Sequence, residues 1–201
     1  DDLYGVTVLG REKETGDLLA WSHAYCLPIV LERRKDIAPR LLDFQRDGDL
    51  TIVPKIEEAC AAVVALVKRA DEAGLLGSLH DGKKRAIGVD AACIKQTLDA
   101  LNAAGYPDEQ IVGVSQGWRL TTAIKSTELY LSSEALRHAR QPLMNWCVGN
   151  AKVELKGNAV LITKQASGSA KIDPLMSLFS AVEVMALSPV AAGRSFWETA
   201  A

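Results

Sequence analysis

Two aspartates stand where a carboxylate is costly unless it is used. Asp90 closes the short run Arg85-Ala86-Ile87-Gly88-Val89, and in an open α/β sheet ligands gather at the carboxyl ends of strands. Asp173 follows Lys171-Ile172 and precedes Pro174, a pattern that marks a helix start. An acid from a strand end and one from a helix start can meet over a sheet and hold a divalent cation, because hard ions such as Mg²⁺ or Mn²⁺ take oxygen ligands. Two such ions about 3.5–4 Å apart would activate water and stabilise the leaving oxygen of a phosphodiester. The same spacing is open to a plainer account, in which both acids cap the helices that follow them. Sequence separation does not choose between cap and ligand.

Positioning these acids requires a sheet and the helices that cover it. Residues 3–9 and 18–25 are β-rich runs joined by a polar, Gly-containing turn, which predicts a hairpin. Charged helical sequence begins at Pro28 and is interrupted near Pro39, and residues 50–53 read as a short strand. Residues 55–73 carry Ile56, Ala59, Cys60, Val63, Val64 and Val67 on one helical face, with Gly74 beyond the last turn, so the apolar side is expected to lie on the sheet. A buried strand at 86–89, a helix at 91–104 and a strand at 111–114 form a βαβ unit with parallel pairing. A helix is expected from 121 and onward through 137, short apolar runs at 145–148 and 151–155, a strand at 159–163, and a mobile Ser/Gly-rich stretch at 164–171. A final helix spans 174–187. The expected fold class is α/β, with a mixed sheet carrying helices on its faces. Residues 1–187 read as one domain and 188–201 as a loosely held tail.

Composition limits the partners. The net charge is −2 over 201 residues, which provides no general attraction to phosphate, so contact with DNA must come from local basic residues. Those are Lys83, Lys84, Arg85, Arg119, Lys125, Lys164 and Lys171, each more simply read as an ordinary solvated charge. Lys164 and Lys171 stand out because they flank the loop before Asp173. Cys26, Cys60, Cys93 and Cys147 show no C-x-x-C spacing, which indicates buried thiols rather than zinc or redox chemistry. No apolar run reaches the ~18 residues of a membrane helix. Ser115 has no evident His-Asp relay, Trp118 reads most simply as a partly buried anchor, and His138 as a cation at a helix end. No G-x-x-x-x-G-K-[ST] phosphate loop is present.

In order along the chain stand Ile87-Gly88-Val89-Asp90, Val114-Ser115-Gln116-Gly117-Trp118-Arg119, His138, Pro142-Leu143, Asn145-Trp146-Cys147-Val148-Gly149-Asn150-Ala151, Lys164 and Lys171-Ile172-Asp173-Pro174. This ordered series resembles the C-terminal nuclease domain of tailed-phage terminase large subunits, and it extends upstream to Gly48-Asp49-Leu50-Thr51-Ile52-Val53 and Asp2-Leu3. The resemblance implies a ribonuclease H-like mixed β-sheet with helices on both faces. It implies a metal-dependent endonuclease that cuts concatemeric double-stranded DNA during packaging in the cytoplasm of the bacterial host. Asp90 and Asp173 would be ligands of two Mg²⁺ or Mn²⁺ ions, and Arg119, Lys164 and Lys171 would face DNA. The implied partners are the terminase ATPase domain, the small terminase subunit and the portal protein, with no membrane. The family's first catalytic Asp lies on a strand a few residues before the position of Asp2-Leu3. The chain opens with Asp1-Asp2 and no Met, so the expectation is a fragment that omits this acid, or one in which Asp1 or Asp2 partly replaces it. Two alternatives remain: a non-catalytic module of the same fold that docks on the portal or motor, and a resolvase- or transposase-like relative.

Overall fold

The polar turn after residue 11 folds the chain back, so β1 (Tyr4–Arg11) and β2 (Leu18–Cys26) pair antiparallel from Tyr4↔Tyr25 to Arg11↔Leu18. The structure, a computed structural model, describes residues 2–80, 82–92, 95–164 and 170–191. Pro39 falls in the first turn of α2 (Ala38–Arg46), separating it from α1 (Pro28–Arg33), because a first-turn N–H has no helical partner to lose. β3 (Leu50–Ile52) then joins β2 in parallel through Ala24, Tyr25 and Cys26.

α3 (Ile56–Glu72) matches the periodic stretch, but its apolar stripe is shared between two neighbours. Ala59 packs with Tyr25 and Val53 on the sheet, whereas Val64, Val67 and Ala70 pack on a cluster of Leu76, Ile87, Leu101, Tyr106 and Ile111. That second cluster is built by the βαβ unit: β5 (Gly88–Asp90), α4 (Lys95–Ala103) and β6 (Val112–Val114), with β5 and β6 parallel. β5 is shorter and more exposed than the buried strand expected, burial being concentrated in Ile87 just before it. The expected inward residue Ile94 lies outside the described residues. α4 is described from Lys95, and Ala91 and Ala92, expected to be helical, form a turn.

Three expectations change in the second half. The helix from Thr121 stops at Ser132 (α5) and does not run on to 137. Glu134 takes a left-handed φ of 59°, and β7 (Leu136–His138) pairs in parallel with Leu18, Leu19 and Ala20 of β2. The open edge of β2 thus outcompetes helical continuation, and Leu136 is buried by it. The run at 145–148 belongs to α6 (Pro142–Gly149), whose Leu143 N–H donates to Asp49 Oδ2 at 3.1 Å. Asp49 also accepts from Gln141 Nε2 at 2.9 Å, and Gln141 exchanges hydrogen bonds with the Ser22 backbone, which ties α6 to β2 and β3. Last, the tail is held where it leaves the final helix: β10 (Val190–Ala191) pairs antiparallel with β4 (Gly77–Ser78). Residues 192–201 lie outside the described set.

β8 (Ala151–Lys156) and β9 (Ala159–Lys164) form a separate hairpin. α7 (Asp173–Ala186) buries Leu175, Leu178, Phe179 and Val182 at the i, i+3, i+4, i+7 spacing of one helical face. It spans both sheets. A Cβ at Gly5 of β1 would lie 2.7 Å from the carbonyl carbon of Asp173, and one at Gly88 of β5 would lie 2.6 Å from Val184 Cγ2. The result is a mixed α/β fold with antiparallel and parallel pairing in the main sheet. Among the described residues, no helix is long and apolar enough to cross a membrane.

Candidate active site

Asp173 begins α7, and the backbone there is pressed against β1 because Gly5 offers no side chain. The residue at the N-cap position is Ile172, and no side chain caps the helix. Asp173 is therefore not the cap that Asp-Pro spacing suggests. Its Oδ2 is sealed from solvent and has no hydrogen-bond partner. Burial raises its pKa above the usual carboxylate value, and the negative charge of Asp2 adds to the rise against the opposing pull of Lys164 and Lys171. A sealed carboxylate oxygen without a donor costs free energy, and a hard cation is the partner such an oxygen suits.

Asp2 and the two lysines surround this acid. Lys171 Nζ donates to Asp2 Oδ1 at 2.8 Å, and Lys164 Nζ donates to the same oxygen at 2.9 Å. Lys171 is 2% exposed, which overturns the solvated-charge reading: its ammonium is buried against Asp2. Its backbone carbonyl also accepts from Asn150 Nδ2 at 3.0 Å. Residues 165–169 of the intervening loop, expected to be mobile, lie outside the described set. The hydrogen bonds from Lys171 and Lys164 hold Asp2 well below the usual carboxylate range. Two buried thiols feel these charges: burial pushes the Cys26 thiol up to about 11 and raises Cys147 further, with Asp173 contributing to the latter. Both cysteines are buried and free, as is Cys60, while Cys93 lies outside the described residues.

Asp2→Asn is expected to cost roughly 1 kcal/mol at neutral pH, a figure that allows for the exposure of Asp2. Because the folded pKa is depressed, this contribution is present above the ordinary value of 3.8 and is lost as pH falls through the folded value. Urea unfolding of both proteins at neutral pH and at about pH 3 checks it, since the difference should shrink in acid. An equal difference at both pH values would disprove the charge-based account.

Asp90 is exposed at the carboxyl end of β5, and its Oδ1 accepts the Ala92 N–H at 2.9 Å. Cap and ligand were both open for each acid: Asp90 makes a turn-forming bond, whereas Oδ2 of Asp173 has no hydrogen-bond partner. Gly88 meets Val184, eleven residues into α7, which places it about 16 Å along the helix from Asp173 at 1.5 Å per residue. β6 runs toward the head of α7, since Gln116 beyond it donates to Ser180 at 3.2 Å. The parallel β5 therefore carries Asp90 about 7 Å back toward Asp173, leaving an axial offset on the order of 10 Å. No hydrogen bond joins the two acids among the described contacts. Two carboxylates at that offset can meet only through ions and water between them. Among the described residues, no group of three His, Cys, Asp or Glu is arranged to hold a metal ion.

Arg119 and Trp118 lie in a 3₁₀ turn just beyond β6, beside the strand end that carries Asp90. Trp118 is 63% exposed, which corrects its reading as a partly buried anchor. Lys164 is exposed and engaged with Asp2, Lys125 is exposed on α5, and Arg85 pairs with Asp71. His138 lies on β7, where its Nδ1 accepts the Arg140 N–H at 3.2 Å. A cleft of about 550 Å³ between α5, α6, α7 and the β8–β9 hairpin is floored by Leu175, Leu178 and Phe179 and contains neither Asp90 nor Asp173. It lacks the convergent charges that phosphodiester chemistry needs. Gly5 is the participant that the sequence reading missed, whereas Asp2, named there as a possible partial replacement for a first-strand acid, lies close enough to act on Asp173 electrostatically.

No protein-family model matches the chain, and no curated protein matches it. Among solved structures, it is similar to the crystal structure of the HK97 bacteriophage large terminase, with a TM-score of 0.65 and 22% sequence identity. The similarity covers 90% of this chain and 36% of that one, so the chain spans well under half of that protein's length. At this identity the likeness establishes architecture, and the chain has the mixed α/β fold of part of a phage large terminase.

Proposed function

We propose that this chain is the nuclease part of a terminase large subunit, with a ribonuclease H-like fold, and that it cuts concatemeric double-stranded viral DNA during genome packaging in the host cytoplasm. The observation that carries this reading is the sealed, unpartnered Oδ2 of Asp173 at the head of a helix it does not cap. The order of motifs along the chain and the shared terminase fold support it.

Asp173 and Asp90 are the residues that would hold Mg²⁺ or Mn²⁺, two ions in a complete site. Bound metal would supply an activated water and charge stabilisation for the departing oxygen. The chain's own residues prepare that place. Asp173 offers an oxygen with no competing donor, Gly5 admits the helix head close to β1, and Lys164 and Lys171 fix Asp2 nearby. The like charges of Asp2 and Asp173 oppose each other, a repulsion that an added cation relieves. Arg119 and Lys164 are the basic side chains placed to meet the DNA backbone, whereas Lys171 works from inside. The ATPase motor, small subunit and portal protein are the proposed assembly partners.

Mn²⁺-dependent cleavage of plasmid DNA tests the reading. Activity is expected to be low, because two acids hold divalent ions weakly, and Asp90→Ala should reduce it about a hundredfold or more. Cleavage that persisted in Asp90→Ala would remove that residue from the site. The second reading, a non-catalytic module docking on the portal or motor, is favoured by the lack of a three-ligand group among the described residues. Calorimetric titration with Mn²⁺ separates the two, since only the nuclease should show binding that is lost in Asp90→Ala.

A further inference from the structure

The turn after β6 presents an aromatic ring and a guanidinium in a manner that folding does not require. Trp118 is 63% exposed, and Arg119 places its guanidinium carbon 5.3 Å from the ring centroid, within cation–π range. The turn itself is held from several sides. Gly117 takes φ 70°, a conformation that suits glycine. The Thr121 hydroxyl donates to the Trp118 carbonyl at 2.6 Å and accepts the Val160 N–H of β9 at 3.1 Å. Gln116 is anchored to Ser180 of α7, and Arg119 Nη1 donates to Ser115 Oγ at 3.3 Å. The backbone of the turn is thus fixed while the indole stands exposed beside a guanidinium, an amphipathic arrangement of the kind enriched at contact surfaces.

Its location names the partner. Asp90 is the register partner of Val114, the residue before Ser115, so the acid and the aromatic pair sit at the carboxyl ends of adjacent parallel strands. Glu183 shares a pocket with Arg119 that Trp118 does not line, and its negative charge disfavours phosphate in that pocket. Arginine stacked on an indole keeps its N–H edge free for a phosphate oxygen, and the remaining ring surface suits a deoxyribose or an unstacked base.

We propose that Trp118 and Arg119 form a DNA platform beside Asp90, with Arg119 donating to a backbone phosphate and Trp118 packing on the adjoining nucleoside. This rests on the nuclease reading above. The test is fluorescence-anisotropy binding of a labelled DNA duplex to the full chain in metal-free buffer across a salt series. Trp118→Ala should weaken binding about tenfold and Trp118→Phe should restore most of it. Arg119→Ala should weaken binding and lower the salt slope by about one, while Arg119→Lys keeps the slope. If the unmodified chain binds the duplex and the Ala variants bind it equally well, the platform is overturned and the nuclease reading stands. If the unmodified chain binds no DNA, both fall together.

Discussion

Asp173→Asn is expected to cut Mn²⁺-dependent DNA cleavage by orders of magnitude while making the protein more stable at neutral pH. The two effects have one cause. An ionised carboxylate with one oxygen sealed from solvent and unpartnered is a poor choice for folding and a good one for binding a cation. Losing a ligand that contributes several kcal/mol of transition-state stabilisation lowers the rate roughly 10³-fold. Asparagine is nearly the same size and removes the buried charge, for a gain of about 1 kcal/mol, or roughly 2–4 °C in Tm for a chain of this length. The pH dependence has a definite sign. Because burial raises the folded pKa of Asp173, protonation favours the folded state, and that contribution is complete below the ordinary 3.8 and lost as pH rises through the folded value. The advantage of Asp173→Asn should therefore be present at neutral pH and vanish in acid. Paired thermal melts and cleavage assays decide the matter: undiminished cleavage by the variant excludes Asp173 as a ligand, and a lower Tm means that the carboxylate is satisfied after all.

Gly5→Ala is expected to cost about 3 kcal/mol, lowering Tm by roughly 6–12 °C. The added methyl would lie 2.7 Å from both the carbonyl carbon and oxygen of Asp173 and 2.9 Å from the nitrogen of Pro174. These are backbone atoms at a helix start, and they cannot rotate aside as a side chain can. Either β1 or the head of α7 must move, and the position of Asp173 moves with it. Gly10→Ala on the same strand is the control, since nothing lies within 4 Å of the new Cβ, and its Tm should stay within a degree or two of the parent. Gly88→Ala should fall between, because its closest contact is Cγ2 of Val184, the end of a side chain. Equal melting temperatures for Gly5→Ala and Gly10→Ala would mean that β1 and α7 are not in close contact.

Local patterns in the chain were sufficient for most elements. Alternation with a polar turn pointed to the β1–β2 hairpin, the Asp173-Pro174 start signal to α7, and the strand-helix-strand rhythm around Asp90 to the parallel β5–β6 pair. These are short-range effects of side-chain direction and backbone sterics, and a sequence carries them directly. Where a neighbour from elsewhere competed, the local signal was insufficient. Residues 136–138 became a strand because β2 had a free edge, and Leu143 to Cys147 became helix with Asp49, far away in the chain, accepting the N–H of its first turn.

The site divides in the same way. The sequence by itself determined that acids stand at Asp90 and Asp173 and that a Lys precedes the second by two residues. Only the tertiary structure decided which acid satisfies a turn and which keeps a sealed, unpartnered oxygen, that Lys171 is buried on Asp2, and that Trp118 is exposed beside Arg119. The physical reason is that burial and electrostatic pairing depend on groups brought together across the fold. Asp2 and Lys171 are 169 positions apart in the chain and 2.8 Å apart in space, and no periodicity records that distance.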